Sequence, residues 1–201
     1  KEGIQLTRDQ KYVAFQLNSL DLEQRDKPIL ITGPENSGKT FVTQRALPDS
    51  ISIPAEHFAK ACQEYIGADK YKSRSRAELF GPMAALNGIL VIDGLEAFFN
   101  GRKGCQDDLA KILIARKDAG LKYVLTMRGD HTDLSKLQPD LRAAISKGRS
   151  LIELGYPTQE EGLVLLNKHF KGLKSTDPSL TRNRVRGSSL IPALERLQII
   201  S

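Results

Sequence analysis

The segment of clearest chemical meaning fits the phosphate-binding pattern G-x-x-x-x-G-K-[ST] at every required position. Its residues are Gly33, Pro34, Glu35, Asn36, Ser37, Gly38, Lys39 and Thr40. The two glycines let the backbone bend so that successive N–H groups turn towards phosphate oxygens. The lysine reaches the β- and γ-phosphates, and the hydroxyl of Thr40 binds Mg²⁺. The pattern therefore predicts a site for ATP or ADP with Mg²⁺.

Two further polar residues stand where apolar runs end, and both are candidate catalytic residues. Asp93 lies 54 residues after Lys39, and it suits the carboxylate that holds Mg²⁺ beside a phosphate-binding loop. Thr126 ends the next run, where a polar group can sense the γ-phosphate, although β propensity explains a threonine there equally well. We predict that Thr40 and Asp93 hold the metal ion.

Five apolar runs predict the strands that must position these residues. They are Ile29–Thr32, Ile51–Ile53, Gly88–Asp93, Lys122–Thr126 and Ser150–Leu154. Helical patterns lie between them; in one, the apolar residues Leu109, Ile112 and Leu113 share a face. This alternation favours an α/β fold with a parallel sheet covered by helices.

The pattern changes after about Pro157, which divides the chain into a body, residues 1–157, and a smaller part, residues 158–201. Two helical stretches, Thr158–Lys171 and Ser188–Ile200, follow with no strand run between them, so we expect a small helical subdomain. At the other end, residues 1–27 predict a helical lead-in to the first strand.

Length and composition exclude several classes of protein. The chain has 201 residues, 40% hydrophobic and 27% charged, which is typical of a globular domain and not of a disordered chain. No apolar run approaches the roughly 20 residues that cross a bilayer, and we expect no secretory leader. Two cysteines are too few for a disulfide framework, so we expect a cytoplasmic protein with no membrane partner. The net charge of +6 permits nucleotide or nucleic-acid binding.

The chain resembles the AAA+ domain of the bacterial replication initiator DnaA and its relatives, which include the regulator Hda. The resemblance runs from about Pro28 to the C-terminus. The stretches that carry it are Ser52–Phe58, Ile89–Phe99 with its continuation through Gln106–Leu109 to Ala119–Thr126, and Ala193–Leu197. It implies a five-stranded parallel sheet of AAA+ order, with residues 158–201 as a C-terminal helical lid.

The sequence departs from the DnaA pattern at positions that serve hydrolysis. Gly94 stands where the family has a second acidic residue, and Arg128 stands where it has an Asp, with Asp130 nearby. The family's arginine finger falls on Ala144, with Arg142 as a stand-in. Because an arginine finger is worth roughly 10³–10⁵ in rate, we expect nucleotide binding with weak ATPase activity at most.

Two groups of basic residues have separate predicted uses. The sensor arginine of the family's lid falls on Ser188, and Arg184 and Arg186 are close enough to contact the nucleotide instead. A second run contains Lys70, Lys72, Arg74 and Arg76. In DnaA the equivalent region faces single-stranded DNA, so the resemblance implies contacts to the DNA backbone; a solvated loop is the alternative.

The resemblance implies a role in the initiation or regulation of DNA replication. It further implies an initiator, a helicase or a sliding clamp as partner, and nucleotide-dependent self-association. Two alternatives remain open: a helicase-loader or transposition-helper ATPase of the DnaC/IstB kind, and an inert adaptor that keeps the fold for protein–protein contact. The helix-turn-helix domain of DnaA has no counterpart up to Ser201, so we expect duplex DNA to be read by a partner or by sequence outside this chain.

Overall fold

Helices and strands alternate along the chain in the computed structural model, which describes residues 6–19, 28–68, 76–158, 160 and 161. The helices are α1 (Arg8–Asn18), α2 (Lys39–Ala46), α3 (Ala55–Ala68), α4 (Arg76–Ala85), α5 (Lys103–Asp118) and α6 (Pro139–Ser146). The strands are β1 (Ile29–Gly33), β2 (Ile51–Pro54), β3 (Leu90–Asp93), β4 (Tyr123–Arg128) and β5 (Ser150–Glu153). Short 3₁₀ helices span Leu95–Phe98 and His131–Lys136.

The five strands form one parallel sheet in the order β2-β3-β4-β1-β5. Strand β1 lies between β4 and β5, and its Ile31 pairs with both Thr126 and Ile152. All of β1 is buried, as expected for a strand covered on both faces. Because the strands are parallel, the ends of β1, β3 and β4 meet at one edge. The predicted five-stranded parallel α/β fold is confirmed.

The two faces of the sheet bury different sets of side chains. On one face, Leu30, Ile92 and Leu125 pack in a cluster with residues of α3, α4, α5 and α6. On the other face, Ile31 and Val124 pack with residues of α1 and α2. Alternate strand residues therefore point to opposite helical layers, and the sheet is held as the middle of three layers.

The ends of the strands differ slightly from the expected ones. Strand β3 begins at Leu90 and not at Gly88, because Gly88 adopts φ +98°, which belongs to a turn. Strand β4 continues two residues past Thr126, because Arg128 still pairs with Gly33. The lead-in helix is present as α1, which starts with a capping box between Thr7 and Gln10.

The lid prediction falls on a part of the chain for which little is described. Of the stretch Thr158–Lys171, only residues 158, 160 and 161 are among the described residues, and Ser188–Ile200 lies entirely outside them. None of the described helices is both long and apolar enough to cross a membrane.

Two charged residues of α5, Asp108 and Arg116, are buried. Arg116 of α5 is fully buried. Its guanidinium donates to the carbonyl oxygens of Met83 and Leu86 at 2.9 Å each, of Gly88 at 2.6 Å and of Lys122 at 3.0 Å. Burial holds the pKa of Arg116 below its usual value, but an arginine stays protonated in proteins. This side chain therefore ties α5 to the segments that precede β3 and β4.

Candidate nucleotide-binding site

The predicted phosphate loop connects the end of β1 to the start of α2. Gly33 is required by its surroundings, because a Cβ there would lie 2.1 Å from the carbonyl oxygen of Leu154. Gly38 caps α2 with φ +90°, a backbone region that glycine enters without strain. Asn36 also has a positive φ, 60°. The loop thus has the tight, partly left-handed backbone that a phosphate cradle needs at a helix N-terminus.

Lys39 folds back over this loop. Its ammonium group donates to the carbonyl oxygens of Gly33 at 2.9 Å and Pro34 at 2.6 Å, and it lies 3.4 Å from the hydroxyl of Ser37. Burial lowers the pKa of Lys39, and the negative charges of Glu96, Asp93 and Glu35 oppose that shift. A cation is therefore held inside the loop, among acceptors that a phosphate can replace.

Asp93 connects the phosphate loop to the neighbouring strands. The hydroxyl of Thr40 donates to Asp93 Oδ2 at 2.7 Å, and the buried hydroxyl of Thr126 donates to Asp93 Oδ1. Thr126 also accepts the backbone N–H of Gly94 at 2.9 Å. Its hydroxyl is thus engaged with Asp93 and Gly94, and a γ-phosphate would have to compete for it. This geometry makes Thr126 a positioning residue for the carboxylate.

The same groups line a cleft of about 170 Å³. Its walls are formed by Glu35, Asn36, Gly38, Lys39, Thr40, Phe41, Asp93, Gly94, Glu96, Thr126 and Arg128. The predicted phosphate loop, Asp93 and Thr126 are therefore brought to one place by the ends of β1, β3 and β4. The cleft combines a cation, several carboxylates and a hydroxyl beside a helix N-terminus, which together suit a phosphate–Mg²⁺ group.

Glu96 is a site residue that the sequence argument missed. It stands two residues after Gly94, in the first turn of the 3₁₀ helix that follows β3. Its Oε2 accepts the backbone N–H of Arg128 at 2.9 Å, and its negative charge acts on Lys39. Its signal in the sequence is a carboxylate within one turn after Asp93, although not at the next position.

The remaining predicted residues have different positions. Arg184, Arg186, Lys70, Lys72 and Arg74 lie outside the described residues, and Arg76 is the first residue of α4. Ala144 is buried in α6 at 8% exposure, whereas Arg142 on the same helix is exposed. The position assigned to the arginine finger therefore faces the protein interior. Ser188 also lies outside the described residues.

Comparison with known proteins shows likeness in structure alone. No protein-family model and no curated protein sequence matches the chain. Domain III of the replication initiation protein DnaA from Thermotoga maritima superposes with a TM-score of 0.74 at 18% identity, over 96% of this chain and 85% of that chain. A DnaA bound to AMPPCP and single-stranded DNA gives a TM-score of 0.67 at 19% identity, over 93% of this chain and 64% of that one.

A helicase loader also has this architecture. The DnaC helicase loader gives a TM-score of 0.55 at 12% identity, over 74% of this chain and 92% of that chain. The chain spans less than two thirds of the length of several of the initiator chains it matches. At these identities the likeness concerns the fold, and this chain has the AAA+ fold of the DnaA replication-initiator structures.

Proposed function

We propose that this chain binds ATP or ADP with Mg²⁺ and acts as an AAA+ module in the initiation or regulation of DNA replication. The observation that carries the proposal is the position of Lys39, whose ammonium group lies 2.6 and 2.9 Å from two carbonyl oxygens of its own loop. Phosphate oxygens offer this cation stronger, charge-assisted hydrogen bonds than neutral carbonyls do. A nucleotide phosphate is therefore the natural ligand of this loop.

The metal ion of the proposed complex fits the residues beside the loop. Mg²⁺ binds oxygen ligands, and it usually takes one or two protein groups together with waters and substrate phosphates. The hydroxyl of Thr40 and Oδ2 of Asp93 lie 2.7 Å apart and supply two such oxygens. Bound Mg²⁺ would neutralise charge on the β- and γ-phosphates, and Thr126 would keep the carboxylate of Asp93 oriented towards it.

The proposed hydrolysis is slow. Gly94 offers no carboxylate next to Asp93, and Ala144 occupies the position assigned to the arginine finger. The nearest replacement for the missing acid is Glu96, whose carboxylate lines the cleft but already accepts a backbone N–H. Without a positioned base and a finger, the transition state of phosphoryl transfer gains less stabilisation.

The proposed setting follows from the structures that share the fold. One DnaA of this shape is bound to AMPPCP and single-stranded DNA, and we infer corresponding ligands here. The basic residues Lys70, Lys72, Arg74 and Arg76 would contact the DNA backbone, and Arg184 and Arg186 would contact the nucleotide. The proposal includes a cytoplasmic location, partners among the initiator, helicase or clamp proteins, and self-association on ATP.

The first test of the proposal is nucleotide binding by the Lys39→Ala variant. The wild-type protein should bind Mg·ADP in a calorimetric titration, and the variant should lose measurable binding. Lys60→Ala is the matched control, since Lys60 has a 72% exposed side chain on α3 and is not part of the cleft. Equal affinity of the wild type and Lys39→Ala would refute the assignment of the phosphate site.

A second experiment separates the proposed role from the alternatives. The size of the purified protein is measured with ATP, ADP and neither, with and without single-stranded DNA, and ATP turnover is measured in the same samples. Assembly on ATP with slow turnover supports the proposal, and fast, assembly-dependent turnover contradicts slow hydrolysis. Capture of a replicative helicase would favour the loader whose fold this chain shares. Partner binding that ignores nucleotide would favour an adaptor.

A further inference from the structure

Arg128 is an arginine of the nucleotide cleft whose backbone is fixed to the phosphate loop. It is the last residue of β4, and it pairs with Gly33, the first residue of the loop. The next residue, Gly129, exchanges two hydrogen bonds with Gly33: the N–H of Gly33 donates at 2.9 Å, and the N–H of Gly129 donates at 3.0 Å. The N–H of Arg128 itself donates to Glu96 at 2.9 Å. These hydrogen bonds therefore fix the backbone from which the side chain of Arg128 extends.

The side chain of Arg128 extends across the mouth of the loop. Its guanidinium donates to Oε2 of Glu35 at 3.2 Å, and Glu35 is the third residue of the phosphate loop. The two side chains are 52% and 65% exposed, so water screens their attraction and the pair is weak. Such a pair can be exchanged for a stronger ligand at little cost.

The position of Arg128 in the cleft indicates which ligand that would be. Burial is the main reason why the pKa of Lys39 is lowered, and the positive charge of Arg128 lowers it further. It shares the cleft with Thr40 and Asp93, the residues proposed to hold Mg²⁺. Mg²⁺ and the lysine of such loops both contact the β- and γ-phosphates. A guanidinium at the end of β4, between the strands that carry the loop and Asp93, lies on the side where the terminal phosphate must be.

We propose that Arg128 binds the terminal phosphate of a nucleoside triphosphate by leaving Glu35 for a phosphate oxygen, and so makes the site favour ATP over ADP. This inference rests on the proposed nucleotide binding and extends it. The planar guanidinium can give two parallel hydrogen bonds to one phosphate group. The proposed contact is made within one chain, whereas an arginine finger is supplied by a neighbouring chain. The residue that makes it, Arg128, stands where the DnaA pattern has an Asp.

The test compares the affinities for AMPPCP and ADP, both with Mg²⁺, in the wild type and in Arg128→Ala. We expect the variant to bind AMPPCP about tenfold more weakly, with less than a twofold change for ADP. Arg128→Lys keeps the positive charge but lacks the planar guanidinium. Its affinity for AMPPCP should therefore lie between those of the wild type and Arg128→Ala. Glu35→Gln releases the arginine and should strengthen AMPPCP binding a few-fold more than it changes ADP binding. Arg45→Ala, at an exposed position of α2 outside the cleft, controls for the loss of one positive charge.

The outcomes distinguish the inference from the proposal beneath it. If wild-type protein binds neither nucleotide, the proposed function is wrong and the inference fails with it. If the wild type binds both and Arg128→Ala keeps the same AMPPCP-to-ADP ratio, only the role of Arg128 is wrong. Unfolding temperatures without nucleotide should agree among the variants, because Arg128 is half exposed. A large drop for Arg128→Ala would assign the residue a structural role instead.

Discussion

The hydroxyl of Thr126 joins the carboxylate of Asp93 on one side to the backbone N–H of Gly94 on the other. Thr126→Val keeps the shape but leaves that N–H and one carboxylate oxygen without this partner. We expect a loss of about 1–3 kcal/mol in the free energy of unfolding, together with a weaker dependence of ADP affinity on Mg²⁺. Denaturant titration and ADP binding with Mg²⁺ or EDTA measure these effects.

Thr126→Ser retains the hydroxyl and is the control for this change. It should keep the effect of Mg²⁺ on ADP affinity, even where the lost methyl group lowers stability. If Thr126→Val responds to Mg²⁺ as the wild type does, Thr126 does not position the carboxylate.

Two separate effects should oppose a side chain at Gly129, and Gly88 is a control at which only the first of them, backbone strain, is present. Both have nearly the same backbone angle, φ +100° and +98°, but a Cβ on Gly129 would lie 2.0 Å from Oδ2 of Asp133, whereas a Cβ on Gly88 meets nothing within 4 Å. Gly88→Ala should therefore cost the backbone strain alone, about 1–2 kcal/mol. Gly129→Ala should also displace the carboxylate of Asp133, which accepts the N–H of Asp130 at 3.2 Å, and so cost about 1 kcal/mol more; it should also weaken AMPPCP binding by shifting Arg128. Equal unfolding free energies of the two variants would contradict this reasoning.

Arg116 is predicted to be the charged residue whose replacement is most damaging to stability. Lysine at this position cannot reach four carbonyls with a planar fork, so buried acceptors lose their donors. We expect Arg116→Lys to lower the free energy of unfolding by about 2–4 kcal/mol. The neighbouring Lys117 gives the control, because the hydrogen bond from its ammonium group to the carbonyl of Lys147, at 3.1 Å, is exposed. Lys117→Ala should change stability by less than about 0.5 kcal/mol; a similar loss in both variants would show that the buried fork adds nothing.

The buried hydroxyl of Tyr123 should make the free energy of unfolding depend on pH in the alkaline range. Its hydroxyl is buried without a hydrogen-bond partner among the described residues, and burial raises its pKa from 10.0 to about 12. The unfolded chain therefore releases this proton first. The contribution of the neutral tyrosine to stability is complete below pH 10 and is lost as the pH rises to 12.

The variant Tyr123→Phe removes this titration. At pH 7 it should be as stable as the wild type, or more stable by about 1 kcal/mol, because an unpartnered hydroxyl is no longer buried. The difference in its favour should widen above pH 10 in urea unfolding. A wild type that keeps pace with the variant up to pH 12 would contradict the raised pKa.

Local sequence was sufficient for the strands and for the loop. Each strand of the sheet begins with or contains an apolar run, and the pattern of Gly33–Thr40 directly marks the turn from β1 into α2. Parallel pairing then brings Asp93 and Thr126 to the same edge, which explains why two residues far apart in sequence could be predicted as neighbours.

Contacts that depend on side-chain packing were not predictable in this way. Arg116 lies next to an apolar helix face, yet the carbonyls that bind it come from two separate segments, which precede β3 and β4. Glu35 and Arg128 are 93 residues apart, and no pattern in either segment points to the other. Phe15 belongs to an apolar series with Val13 and Leu17, but it is 68% exposed on α1.

The strand order also determines when the strands of the sheet can pair during translation. Strand β1, which leads into the phosphate loop, is translated before both of its sheet neighbours, β4 and β5. The carbonyl of Leu154, which lies against Gly33, is among the last groups of the body to leave the exit tunnel. Strand β1 therefore lacks both of its sheet neighbours until β4 and β5 have been translated, and the contact between Gly33 and the carbonyl of Leu154 can form only after β5.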